Sequence, residues 1–182
     1  MRAVELVFLV GWAVFWLGWI AAAVWTKPGQ LQWGRPVGAR LVIVVVVVVL
    51  IRLRVLRGHA LTGDPWLQGV GLALFVGGLA LAVWARAYIG RNWGTPMSQK
   101  TDPELVTSGP YRWVRHPIYS GIILAMIGTA VGLSPAWLVP VVILGGYFVY
   151  SATREERYMT ERFPETYPVY KRSTKMLIPF LF

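Results

Sequence analysis

Five long apolar blocks divide the chain, and polar segments separate them. An apolar block of about 20 residues is long enough to cross a bilayer as a helix. In lipid an isolated strand would leave its backbone groups unpaired, so even the valine-rich second block favours a helix. The pattern therefore predicts an all-α integral membrane protein with five transmembrane helices and a C-terminal cytoplasmic helical segment. The predicted spans cover about residues 5–25, 37–53, 66–89, 117–133 and 136–152.

The last two spans are predicted to form an antiparallel hairpin, because only Ser134 and Pro135 separate them. The beginning of the fourth span and the end of the fifth then lie at the same membrane face. The polar residues 153–172 that follow are expected to form a helix that breaks at Phe163-Pro164.

The distribution of basic residues predicts the orientation in the membrane. Of 18 Lys and Arg residues, 14 would lie on the side of the C-terminus. Basic residues are enriched on the cytoplasmic side of membrane proteins. We therefore expect the N-terminus outside and the C-terminus in the cytoplasm. The four basic residues on the outer side are Arg2, Arg52, Arg54 and Arg57.

Composition narrows the chemistry further. The chain has 182 residues, of which 56% are hydrophobic and 14% charged, and these values are typical of membrane proteins. The absence of cysteine excludes disulfides and thiolate chemistry, and two histidines alone make a metal site improbable. A net charge of +10 could indicate nucleic acid, but the basic residues sit between apolar blocks. We expect neither a nucleic-acid partner nor a metal.

A first polar cluster lies at the start of the fourth span, where residues 109–121 read Gly-Pro-Tyr-Arg-Trp-Val-Arg-His-Pro-Ile-Tyr-Ser-Gly. Ionisable groups are costly at a membrane boundary and tend to line cavities or reaction sites. Pro117 fixes the start of the helix, so nearby backbone amides can favour an anion such as a carboxylate. Arg115 and His116 alone could simply decorate the helix end. Tyr111 and Tyr119 add hydrogen-bond donors and flat aromatic faces. Gly121 lets a ligand or a neighbouring backbone approach closely.

A second polar cluster, Arg-Glu-Glu-Arg at residues 154–157, follows the fifth span immediately. A solvated helix face with internal ion pairs would explain it in isolation. Carboxylates next to a membrane segment are costly unless they are used, however. Because the hairpin ends lie at one membrane face, Glu155 or Glu156 can approach His116 and Tyr119. We predict one site built from both clusters.

The two clusters resemble the isoprenylcysteine carboxyl methyltransferase family and its phospholipid N-methyltransferase relatives. The resemblance covers about residues 90–175 and departs from the usual pattern at Pro164, where the family has glycine. The residues that carry it are Gly109, Pro110, Tyr111, Arg115, His116, Pro117, Tyr119, Gly121, Glu155, Glu156, Phe163, Tyr167 and Tyr170.

The resemblance implies an S-adenosylmethionine-dependent membrane methyltransferase whose cofactor binds at the cytoplasmic end of the last hairpin. A lipophilic acceptor, either an isoprenylcysteine-type carboxylate or a phospholipid amine, would enter from the bilayer among the membrane lipids. The single membrane domain, residues 1–182, would comprise a three-span half (1–89) and a cofactor-binding half (90–182). The implied catalytic residues are Arg115 and Glu156. The implied cofactor-binding residues are Tyr111, His116, Pro117, Tyr119, Gly121, Glu155, Glu156 and Tyr167.

Two other functions stay open. Membrane sterol reductases carry a similar Arg-His-Pro-x-Tyr block and bind a reduced nicotinamide dinucleotide phosphate there. They are usually longer and have more spans, so five spans in 182 residues favour the methyltransferase. A non-catalytic membrane scaffold would leave the paired polar clusters unexplained.

Overall fold

The structure, a computed structural model, describes residues 3–23, 29–30, 63–94, 99–100 and 103–181. Within these ranges nearly all regular structure is helical, which confirms the predicted all-α class. The helices are α1 (Ala3–Ala23), α2 (Pro65–Ile89), α3 (Pro117–Gly132), α4 (Leu138–Arg162) and α5 (Tyr167–Ser173). Short 3₁₀ turns occupy Gly90–Asn92, Gly109–Arg112 and Pro135–Trp137. The strands β1 (Gly29–Gln30) and β2 (Gln99–Lys100) pair antiparallel.

Helices α1 to α4 correspond to the first, third, fourth and fifth predicted spans. Three stretches of the described chain are long and apolar enough to cross a membrane, and α3 is a shorter apolar helix. The predicted second span, residues 37–53, lies outside the described residues. The three long stretches are Ala3–Ala22, Pro65–Asn92 and Pro135–Arg162.

The fifth predicted span and the helix expected after it form one element. Helix α4 continues without interruption past residue 152 to Arg162. Hydropathy falls where the charged residues begin, whereas Arg and Glu are good helix formers and let the backbone continue. The predicted break at Phe163-Pro164 is confirmed, because α4 ends at Arg162. Proline cannot continue the helix. The carboxylates of the second cluster are therefore carried on the same helix as the membrane span.

Helices α2 and α3 pack closely because glycines line their contact. A Cβ atom added to Gly121 would lie 2.6 Å from the carbonyl oxygen of Gly78. Farther along the same contact, a Cβ on Gly71 would lie 2.4 Å from the Cα of Gly132. Only glycine permits such approach of one backbone to another. The beginning of α3 is thereby fixed against the last turns of α2.

Helix α1 joins this pair through aromatic contacts and one polar contact. The rings of Phe8 and Phe75 lie 4.8 Å apart. The indole nitrogen of Trp12 donates a 3.2 Å hydrogen bond to the Thr129 hydroxyl of α3.

The end of α2 carries a buried arginine that connects three elements. Arg86 donates 2.9 Å hydrogen bonds to the carbonyls of Ala22 in α1 and Gly90 in the following turn. Its guanidinium carbon lies 4.3 Å from the ring centroid of Trp93. Hydrogen bonds and the aromatic face stabilise a charge that would otherwise be costly in this setting.

The segment after α5 folds back onto the first polar cluster. The backbone amides of Arg115 and His116 donate to the carbonyls of Lys175 and Met176 at 2.8 and 3.1 Å. The first polar cluster is therefore held from behind by the chain that follows α5.

Candidate functional site

A cleft opens where the end of α2, the beginning of α3 and the C-terminal half of α4 meet. Its wall is formed by two segments of the loop between α2 and α3, by residues of both polar clusters and by α5. The lining side chains come from residues 89–94, 103–106, 111–119, 155–159 and 167–170.

Three aromatic rings stack at the floor of this cleft. The His116 and Tyr119 rings are 5.4 Å apart and nearly parallel, with an interplanar angle of 4°. Tyr119 stacks in turn on Phe148 of α4, at 4.6 Å and 14°. The stack ties the beginning of α3 to α4 and fixes the orientation of the histidine.

Glu155 is the carboxylate of the second cluster that faces the cleft. Its Oε1 accepts a 2.6 Å hydrogen bond from the Tyr119 hydroxyl, and its Oε2 lies 3.5 Å from His116 Nδ1. Its side chain is 27% exposed, so it is accessible to a ligand in the cleft. Glu155 therefore connects the aromatic stack to the cavity.

Glu156 is almost completely buried and does not line the cleft. Its Oε1 accepts a 2.6 Å hydrogen bond from Arg115 Nε, and its Oε2 lies 2.7 Å from Lys171 Nζ. The Nε2 atom of His116 lies 3.6 Å from the same carboxylate. A carboxylate so enclosed is tolerated because cations surround it. Its contacts hold α3, α4 and α5 together.

Arg115 extends this arrangement to the chain that follows α5. Its Nη1 donates to the carbonyl of Thr174 at 2.5 Å and to that of Lys171 at 3.3 Å. Part of the side chain also lines the cleft. The guanidinium therefore contributes positive charge to the cavity while its position is fixed by three acceptors.

Buried tyrosines close one side of the cleft. The Tyr170 hydroxyl donates to the Tyr111 carbonyl at 2.6 Å, and the Tyr111 hydroxyl donates to the Ala85 carbonyl at 3.3 Å. Burial raises the pKa of Tyr111, of Tyr167 and of Tyr170 above the ordinary value. All three phenols are therefore neutral at physiological pH and present uncharged faces to the cleft.

The structure brings together most of the predicted site residues. The predicted residues that line the cleft are Tyr111, His116, Tyr119, Glu155, Tyr167 and part of Arg115. Glu156 lies directly behind the cleft. Pro117 begins α3 as predicted, but its buried ring is not among the described residues that line the cleft. Gly121 likewise faces α2 and serves the close packing of two helices.

Several cleft residues were not predicted. Tyr158 and Met159 follow the glutamate pair on α4 at helical spacing and could have been found by projecting that helix. Tyr170 belongs to the recognised motif but was not assigned to the site. Asn92 and Glu104 gave no such signal, because they lie in a polar loop whose path across the cleft depends on the tertiary fold.

Residues 66–166 match the phospholipid methyltransferase family. The chain belongs to this family. This assignment confirms the resemblance seen in the sequence. It agrees with the helical membrane fold and with the position of the cleft at one end of the membrane helices.

Proteins of two kinds are similar to this chain. The protein-S-isoprenylcysteine O-methyltransferase of Xenopus laevis is 34% identical over 120 residues, which are 64% of this chain and 42% of that protein. The nickel-cobalt-cadmium resistance protein NccN of Alcaligenes xylosoxydans xylosoxydans is 31% identical over 135 residues, 72% of this chain and 61% of that protein.

A solved structure of the eukaryotic intramembrane Ras methyltransferase, isoprenylcysteine carboxyl methyltransferase, has the same fold. The TM-score is 0.61 at 25% sequence identity, over 78% of this chain and 52% of that chain. The chain therefore spans about half the length of the methyltransferases that it matches.

Proposed function

We propose that this protein is a membrane methyltransferase that uses S-adenosylmethionine and methylates a lipophilic acceptor. Family membership and the two named methyltransferase relatives support this reaction class. The observation that carries the assignment is Glu155, whose carboxylate faces an aromatic cleft while Tyr119 and His116 hold it. Carboxylates and aromatic faces are the groups that stabilise an organic cation such as a sulfonium.

The residues present fit such a cofactor. Glu155 would accept a hydrogen bond from the ammonium group of the cofactor or from another of its donors. The stacked ring of Tyr119, together with Tyr111 and Tyr167, would enclose the apolar parts of the cofactor. His116 would contact its carboxylate. The bound cofactor would supply an electrophilic methyl group on a positively charged sulfur.

In-line transfer of this methyl group needs alignment and exclusion of water more than acid or base chemistry. The residues of this chain would hold the acceptor against the methyl group that the cofactor would supply. The buried tyrosines would help to exclude water from the side of the cleft that they close, and the contacts of Arg115 with Glu156 fix the start of α3. We assign Arg115 and Glu156 to positioning, with the guanidinium also attracting an acceptor carboxylate.

The acceptor is proposed to be an isoprenylcysteine-type carboxylate, as the names of the methyltransferase relatives indicate, with a phospholipid amine as the alternative that the family name indicates. The acceptor would reach the cleft from the surrounding membrane lipids. The proposed orientation has the N-terminus outside and the cleft on the cytoplasmic side.

Calorimetry on the purified protein tests the cofactor. We expect binding of S-adenosylhomocysteine and none of the reduced nicotinamide dinucleotide phosphate. Incubation with methyl-labelled cofactor and either a prenylated cysteine or phospholipid vesicles then identifies the acceptor. Binding of the dinucleotide alone would replace this proposal with the sterol reductase alternative.

A further inference from the structure

One wall of the cleft carries a polar pair that none of the roles above uses. Asn92, in the turn after α2, donates a 3.1 Å hydrogen bond from its Nδ2 to Glu104 Oε2. Both residues line the cleft. They belong to the loop between α2 and α3, whereas Glu155 and His116 belong to the hairpin of α3 and α4.

The hydrogen bond fixes which way the Asn92 amide points. Its amino group must face the Glu104 carboxylate, because the opposite orientation would place two acceptors against each other. The Oδ1 atom of Asn92 is thereby left as an acceptor. It is buried and has no hydrogen-bond partner among the residues that the structure describes. A buried acceptor without a donor is costly and indicates that a donor is supplied from elsewhere.

The adjacent wall is aromatic and rigid. Trp93 follows Asn92 directly and also lines the cleft. Its ring contacts the guanidinium of Arg86, 4.3 Å from the ring centroid, and packs perpendicular to the ring of Trp19, with 5.6 Å between the ring centroids. A fixed aromatic surface beside two acceptor groups suits a nucleoside, which combines a flat base with a hydroxylated sugar.

We propose that Asn92 and Glu104 bind the ribose hydroxyls of the nucleoside cofactor and make the site specific for a ribonucleoside. This inference rests on the proposed function. A vicinal diol offers two donors, and a carboxylate next to an amide oxygen offers acceptors for both. A carboxylate at the sugar is also the usual device for binding ribose hydroxyls in nucleotide sites. The negative charge of Glu104 would repel a 2′-phosphate, which selects against the phosphorylated dinucleotide.

The experiment compares S-adenosylhomocysteine with its 2′-deoxy and 3′-deoxy analogues by calorimetry on the intact protein. The wild type should bind the parent about 10- to 100-fold more tightly than one or both analogues, as for loss of a charge-assisted hydrogen bond. Glu104→Gln should lose most of this preference. Its affinities for the parent and for the analogues should therefore lie within about threefold of each other. Glu161→Gln removes an exposed carboxylate outside the cleft and should keep the wild-type preference.

Each outcome decides a different point. Equal affinity of the wild type for parent and deoxy analogues overturns the inference without any variant. A folded Glu104→Gln protein that keeps the full preference overturns the role of that residue, and Asn92→Ala provides the second variant if Glu104→Gln does not fold. If the wild type binds none of the three compounds, the proposed function itself fails, and this inference fails with it.

Discussion

Tyr119 donates a 2.6 Å hydrogen bond to Glu155 across the ends of two different helices. The bond joins α3 to α4 at the floor of the cleft and turns one carboxylate of the Glu155-Glu156 pair toward the cavity. The neighbouring Glu156 is turned toward Arg115 and Lys171 instead. Two adjacent glutamates on one helix thus have different surroundings, and substitutions at the two positions should have different consequences.

Glu155→Gln should weaken binding of S-adenosylhomocysteine about 10- to 100-fold, because a charge-assisted contact contributes about 1.5–3 kcal/mol. Its thermal stability should stay near that of the wild type, since the side chain is partly exposed. Calorimetry and a thermal melt in detergent measure the two effects. Tyr119→Phe should show a smaller loss, because it removes only the group that orients the carboxylate. Unchanged binding by a folded Glu155→Gln protein would contradict the proposed cofactor contact.

Glu156→Gln should mainly destabilise the fold. The substitution leaves the buried guanidinium of Arg115 without its counter-charge, and loss of one partner of a buried ion pair costs about 3–5 kcal/mol. The double variant Arg115→Met with Glu156→Leu should be more stable than Glu156→Gln, because neither charge then remains buried. Denaturant unfolding of the three proteins checks this order. Wild-type stability of Glu156→Gln would show that Arg115 does not need the counter-charge at this position.

Gly121→Ala should separate α2 from α3 and lower the free energy of unfolding by about 1–3 kcal/mol. The added methyl group would meet the Gly78 carbonyl oxygen at 2.6 Å and the Ala82 amide nitrogen at 2.7 Å, and neither backbone atom can move freely. Gly146→Ala in α4 is the matched control, because a Cβ there meets nothing within 4 Å. That control should be neutral or slightly stabilising, since alanine favours the helix. Equal stability of both variants would refute the close-packing role.

Stability should fall as the pH rises above about 10. The buried phenols of Tyr111, Tyr167 and Tyr170 have a raised pKa, so the folded state keeps protons that the unfolded state loses above the ordinary value of 10.0. The contribution of these phenols to the free energy of unfolding is fully present below pH 10. Above pH 10 it decreases by up to about 1.4 kcal/mol per pH unit for each tyrosine. Thermal melts from pH 8 to pH 11.5 measure the slope. Tyr167→Phe should make the slope shallower, and an identical slope would assign the pH effect to other groups.

The proposed orientation can be tested by labelling single cysteines, since the chain has none of its own. Pro135→Cys lies in the exposed turn between α3 and α4, and Ser173→Cys lies at the exposed end of α5. Ser134 is less suitable because it is buried. In intact cells an impermeant reagent should label position 135 and should reach position 173 only after lysis. Labelling of position 173 in intact cells would reverse the orientation.

The sequence predicted those parts of the site that depend on helix register and a short turn. His116, Tyr119 and Glu155 come together because α3 and α4 are antiparallel with almost no loop between them. The division of labour between Glu155 and Glu156 could not be predicted, because it depends on the rotation of α4 about its own axis. Gly121 illustrates the same difficulty: the sequence indicated a close approach, and only the packed structure shows that α2 makes it.

The loop between α2 and α3 was the least predictable region. Asn92 and Glu104 are 12 positions apart and do not share a helix or strand, so no register relates their positions. Their meeting depends on the folded loop as a whole, and the roles that we assign to them remain predictions.

Helix α4 runs without interruption for 25 residues, about 37 Å, and the cleft-facing Glu155 lies about 26 Å from its start. Tilting this helix by about 5° around its first turn would displace Glu155 by roughly 2 Å, enough to break its contact with Tyr119. Hydrophobic mismatch changes the tilt of membrane helices when lipid chain length changes. We therefore expect the affinity for the proposed cofactor to differ between short-chain and long-chain vesicles.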